Sequence, residues 1–225
     1  YSNVKDGSSE RMTIVKIGII GSGNVGGTLG KRWAQGGHSV VFSSRNPDSA
    51  EMRQVVAEAG ASARSGSVFD AVKASEVVVF ATPWQATEQA VRNAGDLSGK
   101  VIVDATNPLL PDLTGLDVGT TTSGAEQVAK WAGSANVVKA FNTVGFGIMA
   151  NPRFGDKGAA LFYCGDDVAA KKTVGQLALE LGFDAIDAGP LTQARLLEPF
   201  ALLWISLALV HGYGRDIAFE FLRGR

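Results

Sequence analysis

One stretch decides the fold: Ile14-Val-Lys-Ile-Gly-Ile-Ile-Gly-Ser-Gly-Asn-Val-Gly26. An apolar run of the β type ends in Gly21-x-Gly23-x-x-Gly26, and a helix-compatible segment follows it up to Gln35. In this order the first glycine permits a tight turn, the second lets the backbone approach a pyrophosphate, and the third lets helix and strand pack closely. The stretch therefore predicts a dinucleotide-binding turn whose phosphate contacts are Gly21, Ser22, Gly23, Asn24, Val25 and Gly26.

Strand-like and helix-like segments alternate through the rest of the chain. The predicted strands are 39–43, 61–64, 76–81, 100–104, 136–140, 159–164 and 183–187, and the predicted helices are 48–59, 83–94, 125–132 and 168–181, with helical material from Leu191 onward. This alternation predicts an α/β fold with a doubly wound, mostly parallel sheet and a short C-terminal helical segment.

The length of 225 residues suits one large domain with a small appendage. We expect residues 1–11 to be a tag remnant or disordered tail, 12–190 to be the nucleotide-binding domain and 191–225 to be a helical segment. The longest apolar run, 200–210, is shorter than the roughly 20 residues of a membrane span. It indicates a buried or dimer-forming helix and no membrane partner.

The composition indicates an ordinary globular protein with a small-molecule partner. Its 21 basic and 22 acidic side chains nearly balance, and no basic patch indicates nucleic-acid binding. A single cysteine, Cys164, fits a reducing cytoplasm. We therefore expect a cytoplasmic protein that binds no nucleic acid.

The end of the second strand indicates which dinucleotide binds. Sites that prefer NAD place Asp or Glu there, to accept hydrogen bonds from the ribose. This chain has Ser43, Ser44 and Arg45 instead, so no carboxylate would repel a 2′-phosphate and a guanidinium could hold it. The sequence predicts NADP(H), and the alternative is that Arg45 is a solvated loop residue.

Three further strand ends carry small polar groups beside stiff or apolar neighbours. The carboxyl ends of parallel strands meet at one edge, where ligands bind. We expect that edge to border the nicotinamide through Ala81, Thr82, Pro83, Trp84, Asn107, Pro108, Phe141 and Asn142.

Groups for acid–base or metal chemistry are scarce. His38 fits a structural role and His211 a cap or surface role, and neither a Tyr–Lys pair at four-residue spacing nor a metal-binding motif is present. Carbonyl reduction needs a positioned proton donor, whereas hydride transfer to a flavin-type ring needs mainly close stacking. The sequence thus favours a flat redox acceptor, and we assign no catalytic residue.

The ordered set of motifs resembles the NADPH-dependent F-420 reductases (F-420-dependent NADP oxidoreductases) and the related oxidoreductase domain of the STEAP ferric reductases. The motifs are Gly21-Ser-Gly-Asn-Val-Gly26, Ser44-Arg45-Asn46-Pro47, Ala81-Thr82-Pro83-Trp84, Asp104-Ala-Thr-Asn-Pro108, Val138-Lys-Ala-Phe-Asn142, Cys164-Gly-Asp166, Asp187-Ala-Gly-Pro190 and Leu197-Glu-Pro199. The likeness covers nearly all of the chain from Ile14 to Arg223.

This resemblance implies a Rossmann fold, an oxidoreductase that moves hydride between NADP(H) and coenzyme F-420, FMN or FAD, and homodimers formed partly by C-terminal helices. One departure is that Asp48 and Ser49 stand where family members often carry a basic residue, which implies a weaker grip on the 2′-phosphate. Two alternatives stay open: a module that senses NADPH without turnover, and ferric reduction through a flavin.

Overall fold

A computed structural model describes residues 13–133 and 135–224 of the chain. The prediction made for residues 1–11 lies outside this range. The central feature is an eight-stranded sheet, accompanied by a separate two-stranded ribbon.

The first half of the chain alternates strands and helices as predicted, with boundaries shifted by at most two residues. Its elements are β1 Lys16–Ile20, α1 Asn24–Gln35, β2 Ser39–Ser43, α2 Ala50–Ala59, β3 Ala63–Gly66, α3 Val68–Lys73, β4 Val77–Phe80, α4 Trp84–Arg92 and β5 Val101–Asp104. The short helix α3 was not predicted. Its signal is the capping box in which Ser67 and Asp70 bond each other's backbone amides.

The second half contains the remaining strands and helices. Its elements are α5 Gly124–Ala132, preceded by a long loop, then β6 Asn136–Lys139, α6 Phe146–Ala150, β7 Arg153–Phe154, β8 Lys157–Gly158, β9 Ala160–Gly165, α7 Val168–Leu181, β10 Asp184–Asp187 and α8 Ala194–Ile205. The helix α6 and the β7–β8 ribbon were not predicted.

The strand order is β10-β9-β6-β5-β4-β1-β2-β3. The six strands from β6 to β3 are parallel, while β9 pairs with β6 in the antiparallel sense and β10 runs parallel to β9. The prediction of a doubly wound, mostly parallel sheet is confirmed. Because the chain leaves β1 towards β2 and later returns to β4 on its other side, the cleft beside β1 is the switch point at which ligands bind in such sheets.

Helices cover both faces of the sheet, and β4 shows how the core divides. Val77 and Val79 join one buried cluster, which includes Trp33 of α1. Val78 and Phe80 join a second cluster on the opposite face. Since successive side chains of a strand point to opposite faces, a continuous apolar run is what a strand buried on both faces requires.

The C-terminal helix, which we define as Leu191–Val210, combines a 3-10 turn, α8 and one π-helical turn. It ends at Val210, and residues 211–224 continue without regular structure, so the predicted C-terminal segment is helical over 191–210 and not over 211–224. At 20 residues it is longer than its apolar run, and it is the one helix in the described ranges that is long and apolar enough to cross a membrane, by length and composition alone.

Candidate functional site

The glycine turn after β1 has the geometry that its sequence predicts. Gly21 has φ of +98°, and a Cβ there would lie 2.7 Å from the carbonyl oxygen of Ala81. A Cβ on Gly26 would lie 2.1 Å from the Gly21 carbonyl oxygen. A Cβ on Gly23 would meet no protein atom within 4 Å. The outer glycines are therefore required by packing, while the middle one leaves open space at the helix start.

Helix α1 begins beside that space and has no side-chain cap. Its N-cap is Gly23, with no side-chain cap hydrogen bond and no acidic residue in the first turn. The first amides of a helix have no partner within the helix, and the helix dipole favours negative charge there. A pyrophosphate fits both requirements.

The end of β2 lies against this turn. The Ser22 hydroxyl donates to the Ser43 carbonyl oxygen over 3.2 Å, and the Ser44 hydroxyl accepts from the Asn46 amide over 3.0 Å. Arg45 is exposed and has no hydrogen bond or ion pair with any residue that the structure describes. Its guanidinium is thus free to bind an anionic group at the end of β2, where the sequence predicts the ribose of the dinucleotide.

A cavity of about 490 Å³, which we call the cofactor cleft, opens at the carboxyl ends of β1, β4 and β5. It is lined by the predicted residues Gly23, Asn24, Val25, Ala81, Thr82, Pro83, Trp84 and Asn107. Thr106, in the motif at the end of β5, also lines it, and sequence reasoning missed the rest of the wall, which is Gln85, Ala105, Leu109, Leu110, Pro111 and Leu113. Most of these belong to the long loop before α5, whose path no local signal specifies.

Three residues predicted to border the nicotinamide, Pro108, Phe141 and Asn142, do not line the cofactor cleft, and the first two are packed in the interior. Pro108 is buried, and its Cγ would lie 3.3 Å from a Cβ on Gly124. The Phe141 ring is in the core, 5.6 Å from Trp33 and 6.1 Å from Phe183 between ring centroids. Both side chains pack in the interior, and their assignment as nicotinamide contacts stays a prediction.

Phe141 nevertheless shapes the site through its backbone. Its φ of +65° is rare for a residue with a side chain and costs of order 1–3 kcal/mol. Asn142, the next residue, bonds Asn107 twice: Asn107 Nδ2 donates to the Asn142 carbonyl over 2.9 Å, and Asn142 Nδ2 donates to Asn107 Oδ1 over 3.1 Å. The ends of β5 and β6 are thereby fixed to each other.

Trp84 forms a rigid side of the cleft. Its indole N–H donates to an Asp117 carboxylate oxygen over 2.9 Å, and its ring lies 5.5 Å from that of Trp131. Thr82 shares a 3.0 Å hydroxyl contact with Thr87. These bonds hold the Thr82-Pro83-Trp84 corner in place without any ligand.

A buried ionic cluster lies behind the cleft. Lys139 Nζ donates to Asp104 over 2.9 Å and to the Thr106 carbonyl over 2.6 Å, and lies 2.9 Å from Glu198. The Glu198 carboxylate also accepts from the amides of Gly124 and Ala125 at the start of α5. Burial alone would lower the pKa of Lys139, but the two carboxylates outweigh it and raise that pKa.

A second cavity of about 190 Å³, which we call the acceptor cavity, adjoins the cofactor cleft and shares Val25 and Asn107 with it. Its other lining residues are Asn142, Val144, Gly145, Phe146, Trp204, Ile205, Leu209 and Arg215. The C-terminal helix and the stretch after it supply four of these. Sequence reasoning assigned only Val25, Asn107 and Asn142 to a site, because the rest meet through long-range packing.

Few of the side chains that line the two cavities could act as an acid or a base. Among the described residues that line them, Arg215 is the one titratable side chain. His38, which was predicted to be structural, accepts from the Val15 amide and lies 2.7 Å from Glu180, far from this edge of the sheet. No cluster of metal ligands occurs in the part of the chain that the structure describes.

Comparison with known proteins agrees with this geometry. The family model for the coenzyme F-420-dependent NADP oxidoreductases matches residues 16–108. A candidate F-420-dependent NADP reductase from Arthrobacter sp. FB24 is 31% identical, with a TM-score of 0.83, over 93% of this chain and 100% of that one. The chain belongs to the F-420-dependent NADP oxidoreductase family. The predicted family and Rossmann-type fold are both confirmed.

The chain is also related to the metalloreductases, as predicted. The chain is 32% identical to Metalloreductase STEAP3 of Rattus norvegicus over 83% of its own length, and 26% identical to Metalloreductase STEAP2 of Homo sapiens over 94%. It spans 36% and 44% of the lengths of these two relatives.

Proposed function

We propose that this protein transfers hydride between NADP(H) and a deazaflavin or flavin acceptor, such as coenzyme F-420, FMN or FAD. One observation carries the proposal: two cavities that share Val25 and Asn107 adjoin each other at the dinucleotide turn. A nicotinamide in the first would lie next to a ring in the second.

The NADP(H) end of the site rests on three groups of residues. The amides of Ser22 to Val25 would hold the pyrophosphate at the open space beside Gly23. Ser43, Ser44 and Arg45 would hold the 2′-phosphate, and the free guanidinium supports that role. Thr82, Pro83, Trp84, Asn107 and Asn142 would border the nicotinamide.

The acceptor end would work by positioning. A reduced nicotinamide supplies a hydride, and a flavin-type ring takes up that hydride while a proton comes from solvent. The walls therefore need to hold two rings face to face and exclude side reactions. Cavities without carboxylate, imidazole or ammonium groups support this reaction over carbonyl reduction, which needs a proton donor.

The test is oxidation of NADPH by the purified protein, followed by absorbance, with F-420, FMN or FAD as acceptor. Turnover with any of the three, and little with NADH, is the expected result. NADPH binding by calorimetry without turnover on any acceptor would instead favour a sensor module. Absence of nucleotide binding would contradict both functions.

A second candidate is metal reduction through a bound or free flavin, because named relatives are metalloreductases. Adding a ferric chelate to the NADPH–flavin assay would separate it from simple flavin reduction. A rate of iron reduction that saturates as flavin fills the protein would support the second candidate. Chemically reduced free flavin should not reproduce that saturation.

We also propose that the protein forms a homodimer in the cytoplasm through its C-terminal helix. Leu196, Leu203 and Val210 recur at seven-residue intervals and are 67%, 49% and 70% exposed. Residues at that spacing share one helix face, so an apolar stripe faces solvent in the monomer. The buried charge of Glu198 on the same helix fits packing against the protein better than a lipid surround.

A further inference from the structure

The acceptor cavity has one charged group at its rim. The Arg215 guanidinium lies 5.9 Å from the centroid of the Phe146 ring, and both side chains line the cavity. Arg215 is exposed and forms no hydrogen bond or ion pair with any side chain in the described ranges. The Arg215 guanidinium is therefore held over an aromatic face, and its N–H groups donate to no side chain in the described ranges.

The stretch that carries Arg215 is fixed to the domain at two residues that follow Arg215. The Trp204 indole N–H donates to the Ile217 carbonyl over 2.8 Å, and the Ala160 amide donates to the Phe219 carbonyl over 2.8 Å. A Cβ on Gly145 would lie 2.6 Å from the Trp204 ring. The C-terminal stretch thus packs closely enough to give Arg215 a defined place at the cavity.

The inner wall carries an unsatisfied acceptor. Asn142 is 6% exposed and lines the cavity, and its Oδ1 has no hydrogen-bond partner. Its amide nitrogen is occupied by Asn107 and by the Leu197 carbonyl, so Oδ1 is fixed in orientation. A buried acceptor of this kind is normally satisfied, and an N–H at the edge of a flat heterocycle would satisfy it once binding of the ring opened the wall to Oδ1.

We infer that Arg215 selects acceptors by charge: the cavity takes a flat N–H-bearing ring, and Arg215 binds a phosphate or carboxylate attached to it. Resting on the proposed function, this inference narrows the acceptor to anionic ring compounds and makes Arg215 a specificity residue. A guanidinium binds such oxyanions in a fork with two parallel hydrogen bonds. Neutral ring compounds would bind the same walls without that contribution.

FMN and riboflavin test this because they share one ring and differ by a phosphate. Their dissociation constants would be measured by flavin fluorescence with protein saturated in NADP⁺. We expect the unaltered protein to bind FMN about five- to tenfold more tightly than riboflavin. A ratio of that size is what an ion pair contributes when it is exposed or only partly buried. Raising the salt from about 0.1 M to about 1 M should reduce that ratio.

Arg215→Met should abolish the preference by weakening FMN binding alone, and Arg215→Lys should retain part of it. Arg223→Met is the matched control, since Arg223 also lies over an aromatic ring, Phe221, in the same stretch and does not line the cavity. It should leave the ratio unchanged.

Equal affinities for the two flavins, an unchanged ratio in Arg215→Met, or an equal loss in Arg223→Met would overturn the inference. Failure to bind either flavin would overturn it too. In each case NADPH oxidation with F-420 or a flavin would show that the proposed hydride transfer still stands. Loss of that turnover would be a failure of the proposed function itself.

Discussion

Lys139 and Glu198 form an ion pair of 2.9 Å in which neither side chain is exposed to solvent. Lys139 belongs to β6, which helps to form the cofactor edge, and Glu198 belongs to the C-terminal helix, which helps to form the acceptor cavity. The pair therefore connects the two halves of the proposed site. Through Asp104 and the Thr106 carbonyl, the same ammonium also reaches the β5 end.

Lys139→Met should destabilise the protein by about 3–5 kcal/mol, because it leaves two buried carboxylates without their cation. Chemical denaturation followed by circular dichroism would measure the change. Arg92→Met removes a pair with Glu88 in which both side chains are more than half exposed. Arg92→Met should have no measurable effect on the free energy of unfolding. Equal losses of stability in Lys139→Met and Arg92→Met would contradict the special role of burial.

Gly23→Ala and Gly26→Ala should separate ligand contact from packing. A methyl group on Gly23 meets no protein atom, so stability should hold while NADPH affinity falls by about tenfold, or ~1.4 kcal/mol. A methyl group on Gly26 would overlap the Gly21 carbonyl and should cost about 1–3 kcal/mol or more of stability. Calorimetric titration and thermal melts would measure the two effects, and unchanged NADPH affinity in Gly23→Ala would remove the turn from the site.

Arg45→Ala should lower the preference for NADPH over NADH by about tenfold, the worth of one charge-assisted hydrogen bond. The ratio of kcat/KM for the two nucleotides is the measurement. Arg153→Ala, which removes another exposed guanidinium in the β7–β8 ribbon, is the control. A ratio that stays constant in Arg45→Ala would show that the guanidinium is only solvated.

Cys164 should make stability fall in alkaline solution. Burial raises the pKa of its thiol to about 12, whereas the unfolded thiol ionises near its ordinary value of roughly 8.5. The unfolded state therefore releases a proton first as pH rises, and stability should drop by about 1 kcal/mol per pH unit between pH ~9 and ~10. Denaturation at stepped pH would show this, and Cys164→Ala should flatten the slope in that window.

The other raised pKa values act at higher pH. The pKa of Tyr163 is raised mainly by burial and that of Lys139 by its carboxylate partners. Both groups have ordinary values near or above 10, so their effects begin where the window for Cys164 ends. A slope between pH ~9 and ~10 that Cys164→Ala leaves unchanged would contradict the assignment of the alkaline loss to Cys164.

Leu203→Glu should convert a dimer to a monomer, because it places a charge in the middle of the exposed stripe on the C-terminal helix. Sedimentation velocity is the measurement. Leu179→Glu on α7, whose leucine is 53% exposed, is a matched control that should not change the mass. A monomeric unaltered protein, or vesicle binding that Leu203→Glu abolishes, would contradict the dimer.

Local signals in the sequence specified much of the fold. The apolar run of β4, the glycine turn at Gly21 and the capping residues at Ser49 and Ser123 each act within a few residues, and the structure has elements where those signals stand. The reversal of β9 relative to β6 had no such signal. Strand direction there depends on the path through α6 and the β7–β8 ribbon, which were themselves unpredicted.

The candidate site likewise contains residues that the sequence could assign and residues that it could not. Residues at strand ends, such as Thr82 and Asn107, could be assigned because topology brings those ends together. Trp204 and Arg215 could not, since they reach the acceptor cavity only through packing of the C-terminal helix. The burial of the Phe141 ring could not be read from its motif either, because it depends on long-range packing against Trp33 and Phe183.

The ionic cluster also limits how such enzymes could be recombined. A chimera that exchanged residues 191–224 for those of a relative would import new acceptor walls along with a new partner for Lys139 and for the start of α5. Where a relative lacks a charge at one of these positions, a crossover that separates Glu198 from Lys139 and Asp104 would leave an unpaired charge in the interior. Libraries should therefore exchange these three positions as a unit. Such libraries should yield variants with an altered choice of acceptor and an intact fold.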